Sequence, residues 1–564
     1  MHLFALAILS LAHGQDSNRS IAIPHSNDLA ARMASLAEHE KVRLFVYGSS
    51  RDQKDLTALE LRNGQAREGQ PAMLLVAGLS KAQAWTSGLA LDLVEDLLAA
   101  KIAPDTNLIV VPLANPDAYY ARHAAPGVES EATGPGSDND RDGRMGEDPG
   151  SDINQDGLVT WMRVPDPEGT WMADPSDERL NIEADPLKGE SGLWKLVREG
   201  RDLDGDGDAS EDGPLDGIMN RNFAARWEEH AARAGRYPTE DPQVRALCEL
   251  VASRRDLQVV LVLGEQDNLV NKPKAISDDA PDSKRVPKTG LRQSDADRIQ
   301  VLSERWKKAT GYSAAEQAED EDAGSFQAWA YEHRGLLTLC TLPWDLPKAE
   351  VSKPSAEEEK ASAEPQDQSN PQAGDEKSMA PKGKPSGAAL RLRWLEENGR
   401  TGAHLGWTAF DHPELGPVEI GGYRPFVQSD PWVQDIEGKS AGIATFLNEL
   451  SSDLARIALT EVSATDLGGG LLDLRASVTN TGWLPLRSQW GQRTRTQRMP
   501  KLNLQLPKGA KLKAGRTQIL GRDLDGGARQ EFRWLVSGAQ PSEIVLTVST
   551  DHAGSASTSF EERL

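Results

Sequence analysis

The chain has 564 residues, and at roughly 100–200 residues per domain that length implies about two to four domains. Its 87 acidic residues against 63 basic ones leave a formal charge of −24, which excludes a nucleic-acid or anionic-membrane binder built on clustered Lys and Arg. Apolar residues at 38% supply a sizeable core, and only two cysteines, Cys248 and Cys340, rule out a disulfide scaffold and a Cys-built zinc site.

In chain order, residues Leu3 to Ala12 are almost all apolar, and Ala12-His13-Gly14 places small residues at −3 and −1 before Gln15. This is the pattern of a signal peptide spanning 1–14, so an exported protein, periplasmic or extracellular, is expected. No later apolar run approaches the ~20 residues that cross a bilayer, so no membrane insertion is expected. Met73 to Ala77 then reads as a short buried strand, followed by a loop, Gly78 to Gln83, and a helix from about Ala84 to Ala100 with Leu91, Val94 and Leu98 on its apolar stripe. Buried strands recur at Leu108–Val111, Leu257–Leu263 and Leu336–Leu339, with helices near Val244–Ser253 and Asp295–Thr310. Buried strands alternating with helices predict an α/β sheet covered on both faces. Ligands bind such sheets beyond the carboxyl ends of their strands.

Between residues 129 and 216 lies an acidic insert. From Asp138 to Asp212 it holds 22 acids and 8 bases. Three stretches share one spacing: Asp138-x-Asp140-x-Asp142-Gly143, Asp152-x-Asn154-x-Asp156-Gly157 and Asp202-x-Asp204-x-Asp206-Gly207. Oxygen ligands at positions 1, 3 and 5 with Gly at 6 suit calcium, because the acids converge on a hard cation while Gly allows the sharp turn. The twelfth positions hold Pro149, Arg163 and Gly213 instead of an EF-hand Glu; Glu147, Asp148, Glu211 and Asp212 would have to close two of the loops. Calcium is expected in a structural role. The segment 348–388 is rich in Lys, Glu, Ser, Pro and Gln with few large apolar residues, and reads as disordered. Beyond 455, short alternating runs such as Leu472, Leu474, Ala476, Val478 and later Ile544, Leu546, Val548 predict a β-sandwich over 456–564.

Five short motifs carry a resemblance: Asn115-Pro116-Asp117, Asn220-Arg221-Asn222-Phe223, Trp329-Ala330-Tyr331-Glu332, the run from Asp152 to Arg163, and His412-Pro413-Glu414-Leu415-Gly416 followed by Glu419-Ile420-Gly421-Gly422. In this order the chain resembles the zinc carboxypeptidases, the carboxypeptidase A-like metallopeptidases, in a bacterial branch with acidic inserts. The resemblance implies a mixed sheet with helices on both faces over 15–455 and a metallocarboxypeptidase ancestry. It also implies a zinc ion on three protein ligands with an open position for water.

The ligand positions that the resemblance implies are occupied by other residues. Ser80 stands where the first His belongs and Gln83 where the Glu belongs; the third ligand falls on Gly264, and a slip of one gives Leu263 or Glu265. The general base falls on Leu342, with Thr341 the neighbouring choice. A hydroxyl and an amide are poor zinc ligands beside imidazole and carboxylate. None of the histidines outside the leader, among them His25, His39, His123, His230, His333, His404, His412 and His552, sits in a His-x-x-Glu, Glu-x-x-His or His-x-x-x-His pair. Asn220 and Arg221 match the pair that grips the terminal carboxylate of a peptide in the family, a role a guanidinium fork suits.

The sequence thus predicts a family member that has lost zinc and hydrolysis, binding a peptide C-terminus or cell-wall fragment. An active carboxypeptidase and a scaffolding protein are the alternatives.

Overall fold

The computed structural model describes residues 26–62, 67, 69–100, 106–124, 127–128, 134, 148–203, 205, 209–210, 217–231, 233–278, 289–312, 323–346 and 385–561. The six strands of its central sheet run in the order Val42–Ser49, Asp55–Arg62, Asn107–Val111, Ala72–Val76, Leu257–Leu263, Leu337–Thr341. The first three pair antiparallel and the last four are mutually parallel. The parallel strands are buried on both faces, so nearly every residue in them is apolar. Period-two alternation then sorts their side chains. Met73, Leu75, Val259, Leu261 and Leu339 enter one core with the helices Trp85–Ala100, Gln293–Thr310 and Lys439–Asp453. Leu74, Val76, Val260, Val262 and Cys340 enter the other with Pro242–Ser253 and Phe326–Glu332. The predicted mixed α/β sheet, covered by helices on both faces, is the observed one. Cys340 is buried and Cys248 half-buried, both as free thiols; burial pushes the Cys248 thiol up to about 12, so it is unreactive.

A second, six-stranded sheet was not anticipated. Its order is His404–His412, Gly416–Tyr423, Trp161–Pro165, Trp194–Arg198, Trp171–Asp174, Asp177–Glu183. Two of the sequence motifs are neighbouring strands in it: Glu419 pairs with Arg163, Ile420 with Met162 and Gly421 with Trp161. Only glycine fits at 421, since a Cβ there would lie 1.7 Å from the Gly406 carbonyl oxygen. Arg163 is sandwiched between the Trp194 and Trp407 rings, at 4.5 and 4.0 Å from their centroids. The insert read as acidic loops is therefore, over 161–198, largely sheet. Part of its acid is spent on arginine: Asp177 binds Arg179, which reaches Glu396 on the helix Gly387–Glu397. That helix also corrects the segment read as disordered. Ser386 caps it by accepting from the Ala389 N–H at 3.0 Å, so 385–388 are ordered, while 347–384 lie outside the described residues.

From Ile457 onward, two four-stranded sheets pack face to face around Leu474, Val478, Leu504, Trp534 and Leu546. Buried polar groups dock this sandwich on the α/β unit. Gln258 binds the Ala455 and His552 carbonyls at 2.9 and 2.6 Å, Gln497 the Leu257 carbonyl at 2.7 Å, and Ser488 the Gly335 carbonyl at 2.8 Å.

Asp241 caps the helix Pro242–Ser253 through the Gln243 N–H and is 1% exposed. Burial pushes its carboxyl up to about 6, against the pull of Arg51 at 3.5 Å. Its unfolded value is near 4. Between about pH 4 and 6 the folded state therefore holds the extra proton, and stability falls as pH rises through that window, by about 2–3 kcal/mol. Asp241→Asn keeps a capping oxygen and removes the titration. The difference in unfolding free energy between the native chain and this variant should change with that sign over pH 4–6; a difference constant with pH contradicts the assignment.

Candidate functional site

The parallel strands 72–76, 257–263 and 337–341 end at one level, and the loops leaving them form a cleft of about 130 Å³. Gln83 comes from the first loop, Glu265 and Asp267 from the second, Leu342 and Asp345 from the third, with Tyr312 just beyond the helix Gln293–Thr310.

The first loop is set by its backbone. Gly78 has φ +62°, and a Cβ there would lie 2.4 Å from Ser87 Oγ. Its N–H donates to Thr86 Oγ1 at 3.0 Å, and that hydroxyl donates to the Gln83 carbonyl at 2.7 Å, turning the chain into the helix Trp85–Ala100. Asn115 fastens the same loop from the side. Its amide donates to the Leu79 carbonyl at 3.3 Å while its oxygen caps the helix Pro116–Arg122. Asp117, in the same motif, accepts from Ser50, Lys54 and Gln243 at 2.7, 3.1 and 2.7 Å.

Three of the four positions that the resemblance assigns to metal and base, Ser80, Gln83 and Leu342, lie in the loops at this edge of the sheet. Ser80 is 6% exposed, and its Oγ has no hydrogen-bond partner among the described residues. Gln83 lines the cleft, as does Leu342. At Gly264, the fourth, a Cβ would stand 3.2 Å from Val262 Cγ1, which would have to give by a few tenths of an ångström, and in ordinary contact with Leu79 Cδ1 at 3.5 Å. The acids that do line the cleft are not arranged as ligands. Asp267 accepts the N–H groups of Leu269, Val270 and Asn271 at 3.2, 2.9 and 2.5 Å. Among the described residues no three His, Cys, Asp or Glu side chains are grouped to hold a metal. The donor set does not fit zinc.

Asn220 and Arg221 sit on the neighbouring short helix Met219–Arg221, and neither lines the cleft. Asn220 donates to Gln266 Oε1 at 2.8 Å and accepts the Phe326 N–H at 3.0 Å, so its amide braces two loops. Arg221 is half-buried and already engaged. Of the calcium candidates, Asp138, Asp140, Asp142, Asp204 and Asp206 lie outside the described residues. Asp152 accepts from the N–H groups of Asp156 and Gly157 at 3.1 and 2.8 Å, and Asn154 from that of Asp156 at 2.9 Å. Asp156 accepts from Leu158 and Asp202 from Gly205. The buried Glu199 holds the loop from beneath through the Ile153 and Thr160 N–H groups, and burial raises its carboxyl above the usual range. The described part of the insert thus satisfies its own backbone.

One wall of the cleft was not read from sequence. Gln428 and Ser429 reach it from a strap over residues 424–430. Arg122 pins the strap with a buried two-oxygen ion pair to Asp430 at 2.5 and 2.6 Å, stacks on Phe426 at 3.8 Å, and donates to the Lys81 carbonyl. Arg400 holds the strap's Val427 and Asp430 carbonyls. A basic residue in the Asn-Pro-Asp helix and an acid 308 residues later give no common signal in the sequence.

Sheet order, two-faced core and a cleft at the carboxyl edge define a carboxypeptidase-like α/β protein carrying a strand-rich C-terminal domain. Residues 29–178 and 197–362 match the model of the zinc carboxypeptidase family, more than half of the chain, and the protein belongs to that family. Residues 456–561 match a domain of unknown function, DUF8731. No curated protein matches. Among solved structures, bovine thrombin-activatable fibrinolysis inhibitor in complex with tick carboxypeptidase inhibitor is similar at 14% identity, covering 56% of this chain and 84% of that one, with a TM-score of 0.31. A metallo-carboxypeptidase from Burkholderia cenocepacia is similar at 11% identity (57% and 61% covered, TM-score 0.29). Murein-tripeptide amidase from Escherichia coli O157 is similar at 15% identity (53% and 81% covered, TM-score 0.24). These scores are too low to argue from, and family membership rests on the sequence model.

Removing one partner of a buried ion pair leaves the other charge stranded, at a cost of about 3–5 kcal/mol. Arg122→Ala should therefore lower the unfolding free energy by about 3 kcal/mol and speed proteolysis within 424–430. A loss under about 0.5 kcal/mol, the scale of an ordinary surface change, would show that the pair does not hold the strap.

Proposed function

We propose that this protein binds a small or peptide-like ligand in the family cleft and does not hydrolyse it by the zinc route. One observation carries the reading: at the four positions where the resemblance puts the metal ligands and the base stand Ser80, Gln83, Gly264 and Leu342, which are poor zinc ligands or none and supply no base for water. The test is elemental analysis after equilibration with trace zinc, beside an assay for release of C-terminal residues from free-acid peptides. Neither bound zinc nor chelator-sensitive release is expected. About one zinc per chain with release of terminal residues would establish the active metallocarboxypeptidase instead.

Two further features belong to the same proposal. Export is supported by the apolar run Leu3–Ala12 and the small residues before Gln15. Among the described residues no helix is long and apolar enough to cross a membrane. Calcium in the acidic insert is supported by the threefold repeat of one spacing. A cation bound only by folded loops raises the melting temperature by mass action. Added calcium should do so here, and superimposable melts in calcium and in excess chelator would remove calcium from the proposal.

A further inference from the structure

A second cavity, of about 140 Å³, lies at the opposite end of the central sheet from the family cleft. Gln70 and Pro71 lead into the amino end of the strand Ala72–Val76, and Arg456 and Ile457 lead into the sandwich. Ala553, Gly554 and Ser555 come from the hairpin that joins Val545–Ser549 to Ser555–Ser559. The cavity therefore exists only where the α/β unit and the sandwich meet. Backbone contacts fix its walls. Gly69 has φ +69°, and a Cβ there would lie 2.1 Å from the Thr550 carbonyl oxygen. That close approach lets the Gly554 N–H donate to the Gly69 carbonyl at 2.6 Å, while the Ile457 N–H donates to the Ala553 carbonyl at 2.8 Å.

Gln70, 5% exposed, is the unfinished part of this lining. Its Oε1 accepts the Arg67 N–H at 3.3 Å, which leaves the other arm of the amide. That arm, Nε2, is buried and has no hydrogen-bond partner among the described residues. Buried polar groups are nearly always paired, and an amide nitrogen only donates, so the missing partner is an acceptor. The charge of the lining says which kind. Arg67 and Arg456 line the cavity, and among the described residues no Asp or Glu does, in a chain of net charge −24. The Arg456 guanidinium is held in place by the Leu454 and Ser451 carbonyls at 3.2 and 2.9 Å and by Thr106 Oγ1 at 2.6 Å. Water would satisfy the amide without answering this charge; an anion does both.

We propose that this cavity binds a small oxyanion, with Gln70 Nε2, Arg67 and Arg456 around its oxygens. A carboxylate and a phosphate share this chemistry. A volume well below the ~300 Å³ at which pockets for drug-sized ligands begin limits the ligand to that group and a short stem along Pro71 and Ile457. The site shares no lining residue with the family cleft and stands whether or not that cleft holds zinc.

The test uses the full chain at constant ionic strength, with calorimetry of inorganic phosphate, butyrate and n-butylamine. At least one anion should bind saturably and raise the melting temperature, because the site exists only in the folded state. Butylamine should do neither. Phosphate binding alone assigns a phosphate group, butyrate binding alone a carboxylate, and binding of both the shared oxyanion chemistry. Gln70→Glu keeps the oxygen that accepts from Arg67 and replaces the donor by a negative charge, so it should weaken anion binding about tenfold or more. Arg67 is exposed, so Arg67→Gln spares the core and should weaken binding about tenfold. Anion binding unaltered in both variants would lie elsewhere on the protein, and no anion binding up to about 10 mM would leave the amide to water. Either result overturns the proposal, as does equal affinity for butylamine and butyrate.

Discussion

The register of three parallel strands determines everything at the cleft. Val76 pairs with Val262, and Leu263 with Thr341, so the strands 72–76, 257–263 and 337–341 end side by side. Their exit loops have no choice but to meet. Because side chains alternate faces along a strand, a slip of one residue would exchange the two cores and turn the loops away from each other. The burial of both faces forbids that slip, since each strand carries large apolar residues at odd and even positions fitted to different helices.

The motifs by which the chain is placed in its family are, in this protein, joints. Asn115 ties the Leu79 carbonyl to a helix cap, and Asp117 collects Ser50, Lys54 and Gln243. Asn222 donates to the Ala234 and Tyr237 carbonyls and accepts the Asp241 N–H. Phe223 packs on Phe326 and Trp329, while Tyr331 donates to the buried Asp295, which also receives the Gln489 N–H from the sandwich. Removing any of these leaves a buried donor or acceptor unmet, or a void beside an aromatic ring. A fold built on such joints keeps them whether or not chemistry is done nearby. Family membership therefore persists whatever residues stand at the catalytic positions, because the two report on different residues.

What the sequence disclosed follows the range of the interactions involved. The central strands and the helices 85–100, 242–253 and 293–310 are fixed by local apolar periodicity, and they appear within a few residues of their reading. The loops that hold Ser80, Gln83, Gly264 and Leu342 were equally legible, since each lies a short, countable distance from a strand end. The second sheet was not. Its strands are short, half-buried and mixed with charge, and their pairing, such as Glu419 with Arg163, joins segments far apart in the chain. The strand pair Val42–Ser49 and Asp55–Arg62 escaped for a related reason: the first strand is an edge whose Leu44 and Val46 face solvent, so its pattern is not that of a core strand. Gln428 and Ser429 were invisible as cleft residues because long-range contacts such as the Arg122–Asp430 pair put them there.

Among the described residues, the walls of the cleft bring no set of zinc donors together. A dication needs three donors converging within about 2.0–2.3 Å. Here Ser80 is buried with its hydroxyl unpartnered among the described residues, Gly264 offers no side chain, and Asp267 is turned onto its own backbone. Gln83 keeps the length and hydrogen-bonding capacity of the Glu that the resemblance puts at its position, carries no charge, and lines the cleft, so shape at this position is kept while the charge a dication would need is not.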